Sequence, residues 1–441
     1  MLFEFGFSDR KLLQARSKRQ ASHSVPAAIC SHRSSTYLPP AICRVRIPRP
    51  GYTNPMQPLS LEQILSDEQL RKSEFPVAAE KIFLGHAAVC PLPRRVVDAM
   101  TDFALSCAVK DQEDAYAPGR MVETRQLAAR LLGAQPTEVA LVGPTSLALS
   151  YVAAGLTFRR SDNVLVYHDD YPSNVYPWMA LAQKGVQVRF LNIRELGRIR
   201  KIDVEGQVDE STRLVALASC HFLSGWRIDV PAIGEFLRQR DILFCVDGIQ
   251  TLGAFPTSVE HVDFFAADAH KWLLGPLAAG LFYVRQDVQD RLQPTVFGWH
   301  NVRCPNYVAQ ENIVHPPDAR RYEAGSANLL GIAGLEAAMR LLLDLGIERI
   351  AAELLRKRNV LIPALKSKGF TVLHESAPPE HASGIVTFLK PGTDMAQLHS
   401  RLTENNVVAS LRTDRTGQRY LRFSPHFYNT DAELRHAVDL L

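Results

Sequence analysis

The sequence has few cysteines, little excess of charge and no long hydrophobic segment, and each shortage excludes a class of protein. Its 441 residues include seven cysteines, none of them in a Cys-x-x-Cys pair. Neither a disulfide framework nor a zinc knuckle is therefore expected, and reduced thiols favour a cytosol-like compartment. Lys and Arg number 50 against 46 Asp and Glu, and this balance argues against a nucleic-acid-binding protein.

The small positive excess is concentrated in residues 1–55, which hold nine Lys and Arg but only two Asp and Glu. This arm is rich in Arg, Ser and Pro, and no apolar signal-peptide core follows its basic residues. Two interpretations stay open. The arm is either an organelle transit segment or a disordered or mis-started tail before Met56, which its many prolines favour. The second interpretation goes with a cytoplasmic protein, and we leave the arm outside the fold.

The longest uncharged run, Val139 to Phe158, has the length of a membrane span. Gly143 and Pro144 interrupt it, and Thr145 and Ser146 follow. This is the pattern of a strand that turns into a helix. We therefore predict a buried strand and a helix there, and no membrane segment.

From about residue 80, short apolar runs alternate with helical segments. This alternation predicts βαβ units and a largely parallel sheet in a large α/β domain, residues 80–330. A smaller carboxyl-terminal α/β domain is predicted at residues 331–441, and residues 56–79 are expected to pack on it. The strands of the large domain are predicted at Val139–Val142, Asn163–Tyr167, Val186–Leu191, Leu214–Ser219, Ile242–Val246 and Gly280–Val284.

The residues with the clearest chemistry follow two apolar runs. Asp247 ends a strand in the segment Cys245-Val246-Asp247-Gly248-Ile249-Gln250, and Lys271 stands in Asp268-Ala269-His270-Lys271-Trp272. A buried carboxylate is costly without a cation or a donor. Burial lowers the pKa of a lysine, so that its neutral amine becomes a nucleophile. For the pair alone, a plain Asp–Lys salt bridge is the alternative.

The combination of Asp-Gly-x-Gln with His-Lys resembles the class V aminotransferase family of fold-type I pyridoxal 5′-phosphate enzymes. This family includes cysteine desulfurases, kynureninases and isopenicillin N epimerase-like proteins, and the resemblance covers residues 83–429. It implies a large domain with a mostly parallel seven-stranded sheet, a small carboxyl-terminal α/β domain, and pyridoxal phosphate as cofactor.

The resemblance also implies roles for four residues of the motif. Lys271 would form a Schiff base with the cofactor, and Asp247 would hold the protonated pyridine nitrogen. Gln250 would bond the oxygen of the ring hydroxyl, and His270 would contact the phosphate. Such a ring accepts electrons from a carbanion, while the lysine exchanges with an amino acid and then acts as a base.

Further residues match the family's cofactor site. Thr145 and Ser146 match its phosphate loop at a helix N-terminus, with a simple helix cap as the alternative. Tyr171 matches the ring that stacks on the cofactor, or else it is a turn aromatic. Ser326 resembles the family's residue that reaches the phosphate of the neighbouring subunit's cofactor, which implies a homodimer.

The substrate of such an enzyme is an amino acid, whose carboxylate suits arginine. Arg422 precedes a Ser and a Tyr-Asn-Thr as the family's substrate arginine does. Arg412 is a second candidate, with a solvated loop arginine as its alternative. His86 matches the family's opening segment, where it would either border the pocket or be structural. His221 stands where serine is common in the family, and we predict a packing or pocket-shaping role for it.

Desulfurases of this family carry a nucleophilic cysteine between the two arginines, but residues 413–420 contain none. The resemblance therefore implies an aminotransferase or epimerase-like enzyme that acts at the α carbon through Lys271. The alternative is a Cβ-eliminating lyase of the desulfurase, selenocysteine lyase or kynureninase type that lacks the persulfide cysteine. A cofactor-binding protein without turnover is the alternative from a different class. No metal site is predicted.

Overall fold

A computed structural model describes residues 58–117 and 119–441 of the chain, so the arm predicted at residues 1–55 lies outside the described residues. The described residues form thirteen β-strands. They are β1 Ile82–Phe83, β2 Val139–Val142, β3 Asn163–Val166, β4 Gln187–Phe190, β5 Thr212–Ala218, β6 Leu243–Asp247, β7 Phe264–Asp268, β8 Gly280–Val284, β9 Thr371–Val372, β10 Val386–Leu389, β11 Val407–Val408, β12 Ser410–Thr413 and β13 Arg419–Phe423.

Seven of these strands form the central sheet, in the order β2-β8-β7-β6-β5-β3-β4. The strands from β7 to β4 pair in parallel, whereas β8 is antiparallel to both of its neighbours. Every residue of β6, β7 and β8 is buried, as expected for a sheet with helices on both faces. The mostly parallel seven-stranded sheet and the α/β class are thus confirmed, and the predicted strands agree with the observed ones to within two residues.

Helices connect and cover the strands. They are α1 Leu61–Ser66, α2 Glu68–Glu74, α3 Val77–Glu80, α4 Arg94–Cys107, α5 Gln112–Ala115, α6 Arg120–Leu132, α7 Thr145–Gly155, α8 Tyr176–Met179, α9 Lys201–Glu205, α10 Val230–Arg238, α11 Leu329–Leu345, α12 Ile347–Ser367, α13 Met395–Glu404 and α14 Asp431–Asp439. The uncharged run from Val139 forms β2 and α7, as predicted. In the described part of the chain, no helix is long and apolar enough to cross a membrane.

A second sheet of four antiparallel strands, in the order β12-β13-β10-β9, follows the long helices α11 and α12. By its internal contacts the chain from residue 57 to 441 is one unit, so the predicted division at residue 330 stays a prediction.

The early helix α2 contacts the end of the chain, because Arg71 pairs with Glu433 at 2.9 Å and donates to the carbonyl of Tyr428 at 3.1 Å.

The hairpin of β12 and β13 was not predicted, because its strands have only four and five residues. Leu421, Arg422 and Phe423 do alternate as in a half-buried strand, but the run is too short to be distinctive. Leu421 and Phe423 pack into the core beneath the small sheet, whereas Arg422 between them lines a cavity on the opposite face. A charged residue that is buried by a binding site therefore looks like an exposed one in the sequence.

Candidate active site

A cavity of about 270 Å³ lies where β3 and β6 end and where β2 leads into α7. This is the edge of a parallel sheet at which ligands bind. Of the predicted site residues, His86 and Ser326 are outside its lining. The lining residues are Ala87, Ala88, Val89, Pro144, Thr145, Ser146, Tyr171, Ser173, Phe222, Asp247, Ile249, Gln250, His270, Lys271, Arg412 and Arg422.

Lys271 is 5% exposed, and its Nζ lies 5.1 Å from the centroid of the Tyr171 ring. The pKa of Lys271 is lowered to about 8, chiefly by burial. Asp247 opposes this shift, and the positive charges of Arg422 and Arg412 contribute to it. A large fraction of the amine is therefore neutral near that pH and available as a nucleophile.

Asp247 ends β6 and is 2% exposed. The next residue has to be glycine, because a Cβ atom on Gly248 would lie 1.8 Å from the ring of Phe265. One carboxylate oxygen accepts the N–H of Ile249 at 3.0 Å. Burial raises the pKa of Asp247, whereas that N–H, Lys271 and His270 lower it. A ligand that brings a positively charged N–H group would thus stabilise the ionised carboxylate.

Gln250 is fixed on the cavity wall from both ends of its amide. Its Nε2 donates to the carbonyl of Ala87 at 3.1 Å, and its Oε1 accepts the indole N–H of Trp272 at 2.9 Å. The second hydrogen of Nε2 remains for a ligand oxygen. This arrangement fits the predicted bond to a ring hydroxyl.

Donors for an anion converge at the start of α7. Pro144 is the N-cap of this helix and makes no side-chain cap, so the simple capping role for Thr145 or Ser146 is wrong. Thr145 Oγ1 instead accepts the N–H of Asp268 at 2.9 Å, and its own proton is left for a ligand. His270 Nδ1 lies 2.8 Å from the Asp268 carboxylate, which leaves Nε2 for an anion. The helix N-terminus adds free N–H groups.

Two arginines also line the cavity. Arg422 is buried and donates to the carbonyl of Phe222 and to Ser410 Oγ, but its buried Nε has no partner among the described residues. Burial lowers the pKa of Arg422 to about 9, and Arg412 adds repulsion. Because Arg412 lines the cavity and burial also lowers its pKa, the solvated-loop alternative does not fit. Both guanidinium groups suit a carboxylate ligand.

His86 does not line the cavity, although Ala87 next to it does, so of its two predicted roles the structural one fits. His86 is fully buried, with Nδ1 3.0 Å from the carbonyl of Ser424 and Nε2 2.7 Å from the hydroxyl of Tyr428. His221 is also structural, because its ring nitrogens contact Ser224 and the carbonyl of Asp169.

Ser326 lines a separate cavity of about 230 Å³, together with Gly143 and Ala324. It is therefore not part of the Lys271 cavity within one chain. This position is compatible with the role across a subunit boundary that the family resemblance implies, and that role stays a prediction.

Asp170 belongs to the site although no motif indicated it. Its buried carboxylate accepts the N–H groups of Tyr171 and Ala218 and the amide of Asn174, at 2.7 to 3.1 Å. Burial raises the pKa of Asp170 to about 7, and the negative charge of Asp247 contributes. Asp170 thus fixes the backbone of Tyr171 beside Lys271. In the sequence, the only indication of this role is that Asp170 follows strand β3.

Acid is expected to destabilise the fold through the buried histidines. Burial lowers the pKa of His86 to about 3 and that of His221 to about 4, against about 6.5 in an unfolded chain. The unfolded state therefore binds protons that the folded state excludes. This contribution to stability is complete above about pH 6.5 and is lost as the pH falls toward the folded values, by about 1.4 kcal/mol per pH unit and group.

Urea unfolding between about pH 7 and pH 5 tests this expectation. The raised pKa of Asp170 acts in the opposite direction, so the comparison is between variants. His221→Gln should show a shallower loss of stability with acid than the unsubstituted protein, and the exposed His436→Gln should not. Equal slopes for all three proteins would contradict the assignment.

Comparisons with known proteins agree with this geometry. The model of the aminotransferase class V family matches residues 82–436. A probable cysteine desulfurase of Methanothermobacter thermautotrophicus is 29% identical, with 83% of this chain and 95% of the relative covered. The isopenicillin N epimerase of Streptomyces clavuligerus is 26% identical, with 80% and 92% covered. The apo cysteine desulfurase of Thermococcus onnurineus superposes with a TM-score of 0.77 at 24% identity, with 85% and 96% covered.

The fold and the cavity define a pyridoxal 5′-phosphate enzyme of fold type I. The chain belongs to the aminotransferase class V family. The residues present fit the cofactor: a buried lysine with a lowered pKa, an ionisable carboxylate at a strand end and an uncapped helix N-terminus share one cavity. The described residues contain no group of side chains suited to a metal ion.

Proposed function

We propose that the protein acts at the α carbon of an amino acid, as an aminotransferase or an epimerase-like enzyme. The observation that carries the proposal is the cavity itself. It joins Lys271 and Asp247 to two arginines that form no ion pair within the described residues. The first pair suits the cofactor and the second suits the carboxylate of an amino acid.

Each residue then has a defined task. Bound pyridoxal phosphate supplies an electron-accepting ring that stabilises negative charge at the substrate's α carbon. Thr145, Ser146 and His270 would bind its phosphate, Asp247 its ring nitrogen and Gln250 its hydroxyl oxygen. Arg422 would orient the substrate carboxylate. Lys271, with its lowered pKa, would remove or return the proton at the α carbon.

The cysteines of the described chain favour this reaction over persulfide formation. None of them lines the cavity, and residues 414–418, which join β12 to β13, contain no cysteine. Burial raises the pKa of Cys220 to about 11, so this thiol is a poor nucleophile. A Cβ-eliminating lyase that needs no persulfide cysteine is the second candidate, because relatives include cysteine desulfurases.

A panel of amino acids tests the proposal on the cofactor-loaded enzyme. Absorbance changes would report binding, and product analysis would report the reaction. A keto acid or an inverted α carbon is expected. Sulfide release without either product would establish the lyase instead, and binding without any product would establish a protein that lacks turnover.

Arg422→Ala should raise KM for the amino acid roughly 10- to 100-fold, because a charged hydrogen-bonding partner of the carboxylate is lost. Arg422→Lys should recover only part of this loss, since it lacks the fork geometry. Steady-state kinetics measure the effect. The control is Arg419→Ala at the exposed end of β13. Equal KM values for the two alanine variants would contradict the assignment.

We also propose that two copies pair through the surface around Ser326. Residues 296–314 expose several large apolar side chains, which are Val296, Phe297, Trp299, Tyr307, Val308, Ile313 and Val314. An apolar surface of this kind is typical of a protein interface. Sedimentation of the holoenzyme should give a dimer, and Phe297→Asp should weaken it. A monomer at micromolar concentration would contradict the proposal.

A further inference from the structure

The turn between β12 and β13, which lies close to the cavity, is stabilised from within. The carboxylate of Asp414 accepts the N–H groups of Thr416 and Gln418 at 2.9 and 3.0 Å and the hydroxyl of Tyr420 at 2.9 Å. Gly417 adopts a φ of 86°, which suits glycine. The turn therefore holds its shape, and the side chain of Arg415 at its tip is presented on a rigid base.

Arg415 connects this tip to the loop that follows β3. Its Nε donates to the carboxylate of Asp169 at 2.7 Å, and its Nη2 donates to the carbonyl of His168 at 2.6 Å. Its Nη1 contacts Nδ1 of His168. One guanidinium group thus makes three contacts across two segments that are 246 residues apart in the chain.

The loop on the far side of these contacts is itself well anchored. The ring of His168 stacks on Phe190 with centroids 4.2 Å apart. The carbonyl of Asp169 lies 2.9 Å from Nε2 of the buried His221. Loss of Arg415 would therefore loosen the tip of the hairpin, whose strand β13 stays paired with β10, and leave the loop in place.

Both connected segments also carry walls of the cavity. Tyr171 follows Asp169 by two residues and lies beside Lys271. Arg412 precedes Arg415 by three residues and also lines the cavity, and Arg422 is on the partner strand of the same hairpin. Contacts at the tip thus bear on where these arginines lie relative to Tyr171 and Lys271.

We infer that Arg415 is a positioning residue, which clasps the β12–β13 hairpin to the His168–Asp169 loop and so holds Arg412 and Arg422 at their place in the cavity. The inference rests on the proposed function, in which these two arginines bind the substrate carboxylate. Apart from Tyr171, which follows the clasped loop, the predicted cofactor contacts lie outside the clasp, because Asp247 ends β6 and His270 and Lys271 follow β7. Loss of the clasp should therefore weaken substrate binding more than cofactor binding.

The test is Arg415→Ala in the holoenzyme. KM is expected to rise about two- to fivefold, which is the upper part of the range for a partly exposed ion pair. The value of kcat should change less than about twofold, with cofactor absorbance and Tm unchanged. Arg419→Ala is the matched control on the same hairpin. Asp169→Asn should raise KM to a similar extent, and the double variant should add little to either single change.

Hydrogen exchange gives a second readout that needs no substrate. Arg415→Ala should speed exchange in residues 410–423 and leave residues 163–171 unchanged. A KM equal to that of Arg419→Ala, unchanged exchange in the hairpin, or an equal loss of kcat and cofactor absorbance would overturn the inference. These outcomes are separate from the failure of the proposed function, which would show as an unsubstituted enzyme without turnover of any amino acid.

Discussion

Replacing Lys271 by alanine is expected to reduce turnover by about 10⁴-fold or more, because the residue is both the proposed covalent holder of the cofactor and the proposed base at the α carbon. The visible absorbance of the lysine-bound cofactor should disappear as well. Kinetics and an absorbance spectrum measure the two effects. Because burial already lowers the pKa of Lys271, removal of this amine should not lower Tm.

Lys357 is the matched control for this variant. It is also a buried lysine, but it pairs with Glu353 on the same helix α12. Lys357→Ala removes a buried side chain and leaves the partly buried Glu353 with Arg356 as its remaining cation, so it should reduce stability through lost packing. It should keep the absorbance band. Turnover by Lys271→Ala above about 1% of the unsubstituted enzyme would mean that another group holds the cofactor.

The central sheet was predictable because its strands are short runs of buried apolar residues bounded by polar turns. Helices on both faces leave no polar side to the strands, so the runs β6 and β8 stand out in the sequence. The small hairpin was not predictable in the same way. Its strands are short, and the alternation along them assigns Arg412 and Arg422 to an exposed face, whereas both line a cavity that the sequence does not describe.

The site shows the same division between local and distant signals. Asp247 and Lys271 could be predicted because each follows its own apolar strand. For His86 the sequence left two roles open and could not decide between them, because its partners Ser424 and Tyr428 are more than 300 residues away. Arg415 was also missed, since its contacts to the loop after β3 exist only in the folded chain.

Burial moves the pKa values of Asp247 and Lys271 in opposite directions, upward for the acid and downward for the lysine. Each shift favours the neutral form, and each partner's charge opposes it. The two charges therefore gain little from each other as a salt bridge. A cofactor with a positively charged ring nitrogen would restore the ionised form of Asp247, which explains why a costly carboxylate stands at this strand end.

Asp247→Asn is expected to lower kcat by about 10²- to 10³-fold, the usual loss when a group that stabilises developing charge is removed. Asparagine is isosteric but uncharged, so it cannot hold a protonated ring nitrogen. Burial raises the pKa of Asp247, hence its ionisation destabilises the fold as the pH rises, and the variant should keep or raise Tm. Cofactor absorbance should remain, because Lys271 is intact.

Asp263→Asn separates this electrostatic role from the burial of a carboxylate. Asp263 is also buried, but it precedes β7 at the opposite edge of the sheet, where it accepts the N–H of Phe244 at 2.7 Å and pairs with Arg285 at 2.9 Å. Burial raises the pKa of Asp263 too, but its substitution removes the ion pair with Arg285, so it should lower Tm and leave kcat unchanged. Two results would contradict the proposed role of Asp247: a Tm lowered by Asp247→Asn as it is by Asp263→Asn, or a kcat within about tenfold of that of the unsubstituted enzyme. Either result would mean that the carboxylate at the end of β6 is structural. Another residue would then have to supply the charge that the ring nitrogen requires.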